Sequence, residues 1–466
     1  MQHEPLPPFI AARCLSQLLS SSPICCHTSW IAQCPFLDTI NRMVLDFDFE
    51  KACSVSGHKY NVYACLVCGK YFQGRGKHTQ AYTHALQEGH HVFMNLTDGC
   101  TYCLPDGYEV VDSSLKDIQS MLAPRFSAQM VEKLDTVPVY SRGVDGSDYM
   151  PGLIGLNNIK NTDYVNVVVQ LLARIPPIRD FFLLPSNDAR KSSPLLAEFG
   201  ELVRKVWSPY NFKGQVSPHE LLQAIMHASN NRFKIGKQAD PMDFLAWLLN
   251  SLHAALGGTR KPGSSVIHQA LQGKVRILTR KASANADEEH DAAEEEVDEK
   301  ESPFLYLTVD VPAAPLFKDA LERNIIPQVP LRTLLTKFDG STEQEMMNGD
   351  TRRYVLTSLP KYLIIHVKRF SQNTQQFVEE NPTIVNFPIK NLDLGAYTVT
   401  GESKKYHLMS SVQHDGTPDA GAYRAFVHFR ANDQWYEMQD LHVNGVHPQL
   451  ISVSESYIQV WKAAED

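Results

Sequence analysis

Two sets of residues in this chain have the types and spacing to do chemistry. In the first, Cys65 and Cys68 of YACLVCGKYFQGRG form a C-x2-C knuckle, and His84 and His90 follow in YTHALQEGHHVFMNL. Two thiolates and two imidazoles at this spacing are the donor set of a tetrahedral zinc. Cys53, His58 and His78 are further metal-capable residues, but Ser56 stands where a cysteine would complete a second knuckle. Cys34, Cys100 and Cys103 also fail to complete a second set of four, so one zinc is expected. In the second set, GLNNIKNTDYVNVVVQ (Gly155 to Gln170) puts Asp163 in the first turn of a helix, after the N-cap types Asn161 and Thr162. A carboxylate there complements the helix dipole by roughly 0.3–1 kcal/mol. Far downstream, Gly421, Ala422 and Tyr423 precede a WYEMQD segment ending at Asp440.

The elements that must position these residues can be read from pattern. The apolar run Tyr164 to Leu172 extends the Asp163 helix, and Pro176 and Pro177 are expected to stop it. In KQADPMDFLAWLLNSL, Asp240 caps and Pro241 opens a second helix, with Phe244, Leu245, Leu248, Leu249 and Leu252 on one face. LPKYLIIHVKRF (Leu359 to Phe370) reads as a buried strand whose basic end emerges at Lys368 and Arg369. SSLKDIQSML and APRFSAQMVEKL predict helices between the cysteine-rich third and the rest. The charge run from Asp287 to Glu301 predicts a solvated loop.

These segments, in this order, resemble the ubiquitin-specific protease family. Its first signature, G-L-x-N-L-G-N-T-C-Y-M-N-S-x-L-Q, is matched by Gly155, Leu156, Asn158, Asn161, Thr162, Tyr164, Asn166 and Gln170, with Asp163 on the nucleophilic cysteine. Its G-H-Y triplet is matched with Ala422 on the histidine base, and Asp440 falls on the residue that orients the imidazole. The resemblance implies that Asn158 is the oxyanion-hole asparagine. It also implies an α+β fold, a UBP-type zinc finger followed by a papain-like ubiquitin-specific-protease domain with fingers, palm and thumb. A thiolate seated at a helix start is the nucleophile of such enzymes, and a carboxylate cannot replace it. The last cysteine of the chain is Cys103, so no displaced thiol can substitute. His414 and His428 fall outside the triad and read as loop and packing residues. An aspartic pair of Asp163 and Asp440 is not expected, because the triad holds those positions an imidazole apart.

In the finger, Gly74 and Arg75 match a C-G-R motif with Gln73 on its cysteine, while Tyr102 and Leu104 replace the aromatic clamp that holds a ubiquitin tail. The two C-x2-C pairs usual in the fingers of the family are missing. Expected boundaries are 1–33 unassigned, 34–112 zinc finger, 113–150 helical connector and 151–463 protease-like domain, with an acidic insertion at 282–302. A net charge of −8 argues against general coating of nucleic acid and leaves direct RNA contact open. Nine cysteines in metal-type rather than framework spacing suit a reducing compartment. No apolar run reaches the roughly 18 residues of a membrane helix. The likeness is strongest to the inactive branch of the family found in the spliceosomal tri-snRNP. It therefore implies a nuclear, non-catalytic scaffold in pre-mRNA splicing with tri-snRNP proteins as partners. The alternatives are a reader of ubiquitin or a ubiquitin-like protein, and an active isopeptidase.

Overall fold

The computed structural model describes residues 34–184, 193–281, 297–312, 327–372, 378–416 and 421–465. The finger is an antiparallel sheet of β1 (Val62–Cys65), β2 (Tyr71–Gln73), β3 (Val92–Asn95), β4 (Thr101–Cys103) and β5 (Glu109–Val110), in the order β2-β1-β3-β4-β5. Helix α1 (Gln80–Glu88) lies between β2 and β3, buries Ala81 and Ala85, and ends at Gly89 in the left-handed conformation (φ 68°). The predicted connector helices are α2 (Lys116–Leu122) and α3 (Ala128–Lys133).

The thumb gathers α4 (Asp163–Leu172), α5 (Pro176–Leu183), α6 (Pro194–Trp207), α7 (His219–Ala228), α8 (Pro241–Ala255) and α9 (Val266–Leu271). Every residue of α4 is buried, which its apolar run demands of a helix walled on all sides. Pro176 does more than stop α4, because it opens α5 at a position where its missing N–H costs nothing. In α8 the expected cap forms: Asp240 accepts the N–H groups of Met242 and Asp243 at 2.6 and 3.3 Å.

Behind the thumb stands the palm, an eight-stranded sheet. It is built from β8 (Leu307–Asp310), β10 (Tyr362–Lys368), β11 (Leu392–Asp393), β12 (Lys405–Asp415), β13 (Ala422–Phe429), β14 (Gln434–Gln439), β15 (His442–Val446) and β16 (Ser456–Ala463). The order is β8-β10-β16-β12-β13-β14-β15, with β11 paired to β12. Only β8 and β10 run parallel within it. The predicted buried run from Leu359 becomes β10, next to the edge strand β8. Lys368 emerges exposed at its end, but Arg369, expected to emerge with it, is buried because its guanidinium donates to the Ser456, Asn381 and Thr383 carbonyls. One face of the sheet shares a core with the thumb helices, and Leu363, Trp435 and Trp461 pack in a second core on the other.

A separate sheet of β6 (Gly273–Arg280), β7 (Val297–Phe304) and β9 (Thr351–Ser358) forms the fingers, with Gln344–Glu345 at its edge. Here the expectation of a solvated loop fails at its end, since Val297–Phe304 pairs along the whole of β6. The reason is cross-strand charge: Lys274 and Glu301 stand 2.8 Å apart, and Arg276 and Glu299 3.0 Å. The remainder of the acidic insertion lies outside the described residues.

The finger is fastened to the thumb by the segment Asp46 to Lys51. Lys205 on α6 is buried and donates to the Phe47 carbonyl at 3.0 Å, beside Asp48 at 3.1 Å and Glu201 at 3.3 Å. Asp48 also accepts the Ser217 N–H at 2.8 Å, and Phe212 from the thumb side joins the core of the finger. Burial drags the Lys205 ammonium down, but the carboxylates of Asp48, Glu201 and Glu220 outweigh it and hold the charge. Glu220 bears the cost: burial pushes it up to about 7, with Lys51 and Lys205 only partly restoring its charge.

Candidate functional site

In the finger, Cys65 ends β1, Cys68 sits in the following turn, His84 lies on α1 and His90 just after it. Their ligand atoms all lie within 4.8 Å of one another. Cys65 Sγ is 3.6 Å from His90 Nδ1, Cys68 Sγ 3.4 Å from His84 Nε2, and the two imidazole nitrogens 3.0 Å apart. A tetrahedral zinc at ordinary bond lengths needs edges of about 3.3 Å between imidazoles and about 3.6 Å between thiolate and imidazole. The set therefore fits zinc. Phe72 stacks on His84 at 4.1 Å and fixes the ring plane.

The backbone turn that presents Cys65 recurs three more times. Gly69 N–H bonds the Cys65 carbonyl at 2.9 Å and Cys65 N–H bonds the Lys70 carbonyl at 2.9 Å, with Gly69 at φ 76°. The same pair of bonds closes Cys53 to His58, Asn95 to Cys100 and Cys103 to Tyr108, with Gly57, Gly99 and Gly107 at φ 71°, 75° and 80°. A left-handed residue is required at each, which glycine supplies without strain. Ser56, Asp98 and Asp106 occupy the position that Cys68 holds in the first turn. The knuckle shape thus persists where its second thiol is gone. Cys53, His58 and His78 do not assemble: Cys53 Sγ accepts the Ser56 N–H at 3.5 Å, the His58 ring faces Tyr60 at 5.4 Å, and none joins a metal-capable group among the described residues. Arg75 is also engaged, with its guanidinium 4.0 Å above the Tyr102 ring.

At the cleft, Asp163 begins α4 and Thr162 is its N-cap, but the capping contacts differ from expectation. The Thr162 hydroxyl accepts the Ile159 N–H at 2.9 Å instead of a helical one. Lys160 and Asn161 adopt left-handed φ of 54° and 59°, a strained pair that turns the chain back on Asn158. The Asp163 carboxylate reaches beyond its own helix. Its Oδ2 accepts the Tyr423 N–H of β13 at 2.8 Å and the Gln238 amide at 3.2 Å. Its Oδ1 is buried without a partner among the described residues. Burial pushes this carboxyl above the usual range, and the nearby Asp440 adds to the shift against those donors.

Asp440 lies just beyond β14. Its Oδ2 accepts from the Asn158 amide at 3.0 Å and its Oδ1 from the Asn166 amide at 2.9 Å. The amide that the resemblance assigns to an oxyanion hole is thus turned onto the carboxylate, while its own oxygen accepts the Thr162 N–H at 2.9 Å. No hydrogen bond joins the Asp163 and Asp440 carboxylates among the described contacts; each accepts from amides instead. His414 offers no replacement base: it is buried in β12, with Nδ1 2.9 Å from Glu380, and a side chain on Gly421 would strike its ring. His428 faces Asp433 at 2.8 Å, on the far end of β13. What the arrangement does is tie α4, the Asn158 loop and the β13–β14 hairpin together. Sequence reading missed Asn166 and Gln238 as the donors; Asn166 stood three residues after Asp163, one turn up the same helix face.

A papain-like thumb and palm with carboxylate and methyl where thiolate and imidazole would meet define a protease fold without its catalytic pair. The family description "Ubiquitin carboxyl-terminal hydrolase" matches residues 154–461, and "Zn-finger in ubiquitin-hydrolases and other protein" matches 53–115. The chain belongs to the ubiquitin carboxyl-terminal hydrolase family and is a member lacking nucleophile and base. It is 48% identical over 454 residues to the human "Ubiquitin carboxyl-terminal hydrolase 39", covering 93% of this chain and 80% of that one. It is 41% identical to the Schizosaccharomyces pombe "Probable mRNA-splicing protein ubp10", over 93% and 89% of the two chains. A solved structure described as an essential yeast splicing factor superposes with a TM-score of 0.75 at 28% identity, over 92% of this chain and 100% of the other. A yeast SAGA deubiquitinating module bound to ubiquitin aldehyde shares the fold, with a TM-score of 0.54 at 17% identity over 90% and 91%.

Proposed function

We propose that the chain is a non-catalytic scaffold of pre-mRNA splicing, acting in the nucleus and associating with proteins of the spliceosomal tri-snRNP. The finger would hold one zinc through Cys65, Cys68, His84 and His90. The observation that carries the reading is the likeness, at 41% identity over 93% of the chain, to a protein named for mRNA splicing. The cleft chemistry supports it: a carboxylate that accepts the Tyr423 N–H at 2.8 Å has a structural task and no turnover to perform. Quantitative mass spectrometry of proteins captured on the tagged chain from nuclear extract tests the proposal. Tri-snRNP proteins are expected to dominate the capture, and their absence would overturn the assignment. Incubation with di-ubiquitin is expected to yield no monoubiquitin.

A further inference from the structure

On the palm, at the opposite end of β12 and β13 from the cleft, lies a pocket of about 290 Å³. Arg430 follows directly on the end of β13, eight residue steps from Ala422, which places the pocket roughly 25 Å from the cleft. Its wall is apolar, from Ile389, Leu408 and Trp435, and its rim is cationic, from Lys390, Arg430 and Lys462. His407, His428 and Met409 also line it, and one carboxylate, Glu465, stands among the lining residues beside Lys462.

The charge at the rim is only partly neutralised. Lys462 meets Glu465 at 2.7 Å and Arg430 meets Asp135 at 3.2 Å, but Asp135 also serves Arg179 at 2.7 Å. Lys390 is exposed and makes no ion pair among the described residues. Burial holds both imidazoles below their ordinary range; Lys390 and Lys462 depress His407 further, while at His428 the Asp433 carboxylate opposes burial and Lys390 and Arg430 add to it. A chain of net charge −8 has here gathered cations around an apolar hollow.

We propose that this pocket docks an acidic peptide of a protein partner, with one apolar side chain entering between Ile389, Leu408 and Trp435 and flanking carboxylates meeting Lys390 and Arg430. An apolar wall with charge only at the rim fits a side chain set between carboxylates, because the hollow rewards burial and the rim sets orientation. RNA fits less well, because Trp435 is only 4% exposed and the hollow offers no open ring face on which a base could stack.

The test uses the full chain and a fluorescein-labelled peptide of about nine glutamates and aspartates around a central phenylalanine, read by anisotropy at low salt. Saturable binding is expected, weakened about tenfold by Lys390→Glu. The same loss is expected with serine in place of the phenylalanine, or with the acids replaced by amides. Lys234→Glu, an exposed lysine on the thumb, is expected to change affinity less than about twofold. Thermal melting checks that both variants stay folded. Absence of saturable binding, equal effects of the two lysine variants, full binding of the serine peptide, or tighter binding of an oligouridine of equal length would each overturn the proposal. None of these outcomes depends on the splicing assignment.

Discussion

In the finger, four metal-capable side chains converge within 4.8 Å; in the cleft, the positions for thiol and imidazole hold Asp163 and Ala422. Both regions began from the same kind of endowment, a few reactive groups held by turns and helix starts. A structural metal set contributes folding free energy at every moment, so the loss of one ligand is felt by the whole module. Catalytic groups contribute to turnover and often cost stability. Once turnover is not needed, their places are open to groups that stitch the fold. The turns at Cys53 and Cys103 show an intermediate case, in which backbone hydrogen bonds and a glycine maintain the knuckle shape with one thiol only.

The comparison can be broken most severely at the metal. Cys68→Ala, or chelation of the intact protein, is expected to unfold β1, β2 and α1, given the roughly 10–16 kcal/mol that zinc contributes to finger peptides. Circular dichroism and metal content read the loss, and a finger that keeps its melting curve without metal would undo the contrast. Next in size is Lys205→Ala, which leaves the half-buried Asp48 without its cation and Glu201 with Lys51 alone. Removing one partner of a buried pair costs about 3–5 kcal/mol, so denaturant unfolding should fall by that order and the finger should become sensitive to protease.

Glu220 sharpens the same interface through pH. Its folded pKa of about 7 lies above the unfolded value, so the folded state binds the extra proton. The stabilisation is therefore complete below the ordinary glutamate range and is lost as pH rises through about 7. Glu220→Gln should remove that slope and raise stability at pH 8 by roughly 1–3 kcal/mol, the shift being discounted for partial exposure. A wild-type stability that climbs between pH 5 and 8 as steeply as the variant's would contradict the interface as described.

Much of this was legible in the sequence, and the failures have physical causes. The convergence of Cys65, Cys68, His84 and His90 and the Asp240 cap could be read because each is defined by neighbours within about one or two elements. The β7 strand was hidden because its charges look like a loop until Lys274 and Arg276 stand opposite them. The Lys205 network was invisible because Asp48 lies 157 residues earlier in the chain and nothing local pairs the two. At the cleft, residue types announced the loss of the nucleophile, while the new job of Asp163 depends on a backbone N–H 260 residues away. Its helix-start location was visible; the direction its carboxylate faces was not.

Equilibrium unfolding of Asp163→Ala tests the central claim most directly. If Asp163 is a stitch, alanine orphans the buried Tyr423 N–H, a loss of about 1–3 kcal/mol partly offset by removing a buried carboxylate, for a net destabilisation of about 1–2 kcal/mol at pH 7. Unchanged or increased stability, the usual result at a working active site, would contradict the account.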